Sequence, residues 1–107
     1  MRHGFIKTAA GTPKIQVADC VYNAGEILKL IRQMETEGAK IMAFPELCIT
    51  GYTCQDLFWQ TLLLDSAKEQ LVWLAGETSQ VDALIIVGLP WEYNGKLYNV
   101  AAVLNRG

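Results

Sequence analysis

Histidine occurs once in these 107 residues, as His3 beside the N-terminus. Chain ends are usually poorly held, so catalytic or metal-binding arrangements built on histidine are unpromising. Cysteine is nearly as scarce. Cys20, Cys48 and Cys54 are odd in number and lack the paired spacing of a zinc site, which points to reduced thiols and not to a disulfide framework. Prolines number three and no low-complexity run occurs, while 51% hydrophobic against 19% charged residues is the balance of a chain that folds. Long apolar runs are missing too: the longest, residues 83–90, is far too short to cross a bilayer, and no signal-peptide core follows Met1. Nor does one sign of charge dominate. Nine basic and eleven acidic residues give a net charge of −2 without blocks, so the sequence has no footprint for nucleic acid or an anionic membrane. These absences leave a cytoplasmic protein with small-molecule or protein partners as the expectation.

What is present reads as one α/β unit without repeats or linkers. Residues 4–11 are β-compatible or small and lead to Pro13, the pattern of a first strand, with Ala9, Ala10 and Gly11 allowing a close neighbour. Asn23 followed by Glu26 has the spacing of a capping box. Ile27, Leu30, Ile31 and Met34 then recur at helical period before Gly38, predicting an amphipathic helix over residues 23–37. The short apolar run at residues 41–44 predicts a strand covered on both faces, and strand-helix-strand order makes the pair parallel. Leu64, Ala67, Leu71, Leu74 and Ala75 mark a second helix over residues 62–78, and residues 83–89 a third buried strand. Asn94-Gly95 is the dipeptide favoured by a two-residue type I′ turn, so residues 90–105 form a hairpin. The predicted order is β-α-β-α-β-β.

Chemistry concentrates in Phe44-Pro45-Glu46-Leu47-Cys48-Ile49-Thr50-Gly51-Tyr52. In open α/β sheets ligands collect beyond the carboxyl ends of the strands, and Glu46 falls just past one. Flanked by Pro45, Leu47 and Ile49, its carboxylate is expected to be partly desolvated, which raises its pKa towards that of a general base unless a nearby cation pulls it back. The same position also suits a carboxylate that caps the start of a loop, and spacing does not separate the two. Gly51 allows a turn, after which Tyr52 either faces a ligand or packs with its hydroxyl satisfied. Cys48 and Cys54 lie near Glu46, but nothing local depresses a thiol pKa, and buried structural cysteines are common. Trp59, Trp73 and Trp91 fit cores or interfaces. Gly88-Leu89-Pro90 lacks phosphate-loop spacing.

The run from Phe44 to Tyr52 resembles the nitrilase superfamily of carbon–nitrogen hydrolases, which use a Glu-Lys-Cys triad. Asp19, Asn23, Gly38-Ala39, Val87-Gly88-Leu89-Pro90 and Tyr98-Asn99 extend the likeness along nearly the whole chain. Thr12-Pro13-Lys14-Ile15, Val17-Ala18-Asp19-Cys20 and the stretch from Pro45 to Cys54 are most similar to the glutaminase domains of glutamine-dependent NAD synthetases. The resemblance implies a nitrilase-like α-β-β-α sandwich of which residues 1–107 are the N-terminal part. It implies Glu46 as catalytic base and Tyr52 as part of a glutamine-binding pocket, with no metal in this part. It further implies a cysteine that attacks the glutamine amide, a lysine that stabilises the oxyanion, and ammonia passed to a ligase domain for NAD biosynthesis, with ATP and magnesium serving that domain.

Lys96, Cys48 and Cys54 do not match the lysine and cysteine motifs, whose segments are expected after the hairpin. The chain alone is therefore expected to be inactive although its parent is an enzyme. Another amidase of the superfamily, or a short non-catalytic interaction module, are the competing readings. Two helices cover only one face of a sheet, so a homo-oligomer, most simply a two-fold dimer, is the expected state of the isolated chain.

Overall fold

In the computed structural model the chain is described over residues 7–16, 19–45, 48–49 and 61–106. Its elements are β1 (Thr8–Ala10), α1 (Cys20–Thr36), β2 (Ile41–Ala43), α2 (Thr61–Glu77), β3 (Leu84–Tyr93) and β4 (Lys96–Leu104), in the order the sequence predicts. They build one four-stranded sheet, β1-β2-β3-β4, with β1, β2 and β3 parallel and β4 antiparallel to β3.

The helix α1 begins three residues before the expected position. Asp19, not Asn23, is its N-cap: the Asp19 carboxylate accepts from the Tyr22 amide at 3.0 Å, satisfying a donor that the first helical turn leaves free. Glu26 does not close a capping box and instead meets Lys29 at 3.3 Å on the helix surface. From Cys20 the buried positions run Ala24, Ile27, Ile31 and Met34, one stripe at helical period. The helix ends as expected at Gly38, whose φ of +82° suits glycine. The Gly38 amide donates to the Glu35 carbonyl and the Ala39 amide to that of Met34, both at 3.0 Å. This is the Schellman pattern, and the buried Met34 and Ala39 supply its apolar contact.

Strand alternation divides the sheet into two unlike faces. Met42, Ile85, Val87 and Leu89 are buried among Ile27, Ile31, Leu74 and Ala67 of the helices in a single core. Fully burying such side chains stabilises by about 1.5–3 kcal/mol each. Gly11 allows the close approach foreseen for this strand end. A Cβ there would lie 2.6 Å from the Met34 methyl and 3.0 Å from the Phe44 ring. On the opposite face Leu84 is 41% and Val103 60% exposed, and Ala10 and Ala101 are also exposed. No described helix covers that face.

The hairpin forms where expected. Asn94 and Gly95 have φ of +51° and +74°, as a type I′ turn requires, and Tyr93 pairs with Lys96 across the two-residue loop. The strand β3 outruns its expected end at residue 89, passing through Pro90 to Tyr93. Trp91 on this extension packs against the core with Lys68 4.8 Å from its ring centroid, whereas Trp73 is 39% exposed; Trp59 lies outside the described residues.

Candidate active site

The described residues on either side of Glu46 are held on β3. Upstream, the Phe44 amide donates to the Ile86 carbonyl at 3.0 Å. Downstream, the Ile49 amide donates to the Gly88 carbonyl at 3.2 Å. Five residues of chain thus advance two residues along β3, where regular parallel pairing would advance in step. This is the carboxyl end of β2, where the topology of an open α/β sheet places ligand sites.

Cys48 lies beside the second anchor. The Gly88 amide donates to its sulfur at 3.5 Å, and the thiol approaches the Gly88 carbonyl at 3.8 Å. Burial pushes the thiol pKa up from its ordinary value, against the smaller lowering influence of backbone hydrogen bonds. Cys48 is therefore a protonated, buried thiol, in agreement with a structural reading and unlike an activated nucleophile. Cys20, at the start of α1, is also buried.

The same segment is fixed from the helix side by Asn23, which is fully buried. Its carboxamide nitrogen donates to the Ile49 and Gln16 carbonyls, both at 2.8 Å, and its oxygen accepts from the Gln16 amide at 2.7 Å. The Asn-x-x-Glu spacing signals a local cap and gives no hint of this long-range role. The position of Asn23 within the helical stripe, polar among apolar residues, is the signal that finds it.

A cavity of about 180 Å³ opens beside these anchors, lined by Phe44, Pro45, Ile86, Gly88, Asn99 and Ala101 among others. Ile86, Gly88, Asn99 and Ala101 share the sheet face that the helices leave uncovered. Glu46 and Tyr52, the two site residues expected from the sequence, lie outside the described residues, as does Cys54. Lys96 is exposed at the hairpin tip, well along β3 from this cavity. Gly88-Leu89-Pro90 is strand and buried, so it forms no phosphate cradle. Among the described residues no group of three or more His, Cys, Asp or Glu gathers to hold a metal, and no helix is long and apolar enough to cross a membrane.

Two helices on one face of a mixed four-stranded sheet, with the Pro-Glu segment at the carboxyl end of β2, make up part of a nitrilase-type α/β domain. The chain belongs to the carbon-nitrogen hydrolase family, which it matches over residues 7–107. It is 34% identical over 106 residues to the glutamine-dependent NAD(+) synthetase of Mycobacterium tuberculosis, covering 99% of this chain and 16% of that protein. The crystal structure of a glutamine-dependent NAD(+) synthetase from Cytophaga hutchinsonii superposes with a TM-score of 0.87 at 29% identity, over 94% of this chain and 17% of the other. An amidase from Nesterenkonia sp. has the same fold, with a TM-score of 0.79 at 19% identity over 99% of this chain and 40% of its own. The chain thus spans about a sixth of the length of the synthetases it matches.

Proposed function

We propose that this chain is the N-terminal part of the glutaminase domain of a glutamine-dependent NAD synthetase, in which Glu46 is the general base and Tyr52 helps to shape the glutamine pocket. The observation that carries this reading is the 34% identity to the Mycobacterium tuberculosis synthetase along 99% of the chain. The cavity at the carboxyl end of β2, with backbone anchors on both sides of Glu46, supports it. In the reaction Glu46 takes the proton of a cysteine thiol, the thiolate attacks the glutamine side-chain amide, and a lysine stabilises the oxyanion. Ammonia leaves, and Glu46 then activates the water that hydrolyses the thioester.

Lys96, Cys48 and Cys54 do not match the motifs of that lysine and cysteine, so the 107-residue chain alone is inactive on this reading. On this reading ATP and magnesium serve the synthetase domain. A cytoplasmic setting goes with this reading, and the buried Cys48 thiol suits it. Isolated from the rest of its domain, the chain associates with itself through the uncovered sheet face. The test is to express the whole reading frame and measure glutamine-dependent ammonia release and NAD formation. Absence of both from a folded product would overturn the reading.

A further inference from the structure

Asn23 stands out among the buried residues because it spends a core position of α1 on a carboxamide. Asparagine is a mediocre helix former, and a carboxamide buried without partners is costly. Here both amide hydrogens and the oxygen are used: the nitrogen donates to Gln16 and Ile49 carbonyls and the oxygen accepts from the Gln16 amide. An apolar residue of similar volume would fill the space and make none of these bonds. Aspartate would place a carboxylate oxygen against two carbonyls. The three bonds therefore demand asparagine for linkage, not for packing.

What they link is specific. Gln16 belongs to the connection leading into α1, and Ile49 to the segment following Glu46. The Ile49 amide is bonded to Gly88 on β3, so both backbone polar groups of Ile49 are occupied, one from the sheet and one from the helix. Phe44 and Ile49, five residues apart, are anchored two residues apart on β3, and Glu46 lies between them in sequence. Phe44 is held by its amide bond to Ile86 and by the core, and Ile49 by bonds from both β3 and the helix.

We propose that Asn23 is a positioning residue that locks Ile49 between α1 and β3 and thereby sets the placement of the Glu46 carboxylate. It rests on the reading of Glu46 as the base, and it acts through the Ile49 carbonyl without touching substrate.

The test uses the whole reading-frame product with Asn23→Asp and Asn23→Leu, checked for folding by thermal melting. Expected is a fall in kcat for glutamine hydrolysis of at least tenfold per folded molecule, with KM changed less than twofold. The acid limb of the pH–rate profile should move, and exchange at the Ile49 amide should quicken while that at Ile31 does not. A general loss of stability would lower the folded fraction without moving the pH limb. A folded variant with unaltered kcat and acid limb overturns the proposal.

Should both variants fail to fold, the unaltered protein decides: slow solvent exchange of the Asn23 side-chain amide protons supports the lock, and exchange at the free-amide rate overturns it. Protected Asn23 protons, and an Ile49 amide loosened by Asn23→Asp, in a protein that hydrolyses no glutamine would support the lock while sinking the glutaminase reading.

Discussion

Gly88 and Cys48 meet beyond the end of β2, the Gly88 amide donating to the Cys48 sulfur at 3.5 Å. The protein has turned a thiol beside its candidate site into a backbone partner, and burial keeps that thiol protonated. Native protein should leave Cys48 unmodified by iodoacetamide at pH 8, with labelling on denaturation; mass spectrometry of the peptide reads the outcome. The raised pKa also fixes a pH dependence. Its contribution to stability is complete below the ordinary thiol value of 9.0 and is lost as pH rises through the higher folded value. Denaturation midpoints at pH 8 and 10 should show the decline, and Cys48→Ala should reduce it.

Glu46→Gln keeps the side-chain shape and removes the carboxylate proposed as the base. In the whole reading-frame product it should abolish glutamine-driven NAD formation, by two orders of magnitude or more in line with the usual worth of a general base. Synthesis from added ammonium should persist. Equal loss with both nitrogen sources would show that Glu46 is structural.

Asp19→Ala removes the cap of α1 and should lower stability by about 1 kcal/mol. Asp19→Asn should recover most of it, since the amide oxygen can still accept from the Tyr22 amide. Urea denaturation of both variants checks the order.

Self-association of the isolated chain should depend on the uncovered sheet face. Val103 and Leu84 are exposed there, 60% and 41%, so Val103→Lys and Leu84→Lys should raise the monomer fraction in sedimentation at micromolar concentration. Association undiminished by both changes would place the contact elsewhere.

The order of elements was legible because each rested on a local signal: the helical stripe from Ile27 to Met34, the Gly38 stop and the Asn94-Gly95 turn. The failures came from residues whose partners are distant in sequence. Asn23 has the spacing of a cap, and only the folded chain brings Ile49 to it. Pro90 reads as a strand end because proline lacks a donor, yet β3 continues through it. The Ile86 and Gly88 carbonyls accept from residues beyond β2, so the parity of the strand turns the donorless nitrogen of Pro90 to that same side, past the last β2 residue. The ladder to β4 loses nothing there. At the site, Pro-Glu beyond a strand was visible in the sequence, whereas the cavity depends on Asn99 and Ala101 arriving from β4.

That arrival depends on the number of residues at the hairpin tip. With two residues in the turn, Asn99 and Ala101 stand on the cavity side of β4, and Val100 and Leu104 turn to the core. A single residue inserted between Asn94 and Gly95 that shifted the pairing by one would invert every side chain of β4. The cavity would lose its asparagine and the core would receive it. The hairpin tip, remote from the cavity, thus acts as the counting device that decides which half of β4 the site is allowed to see.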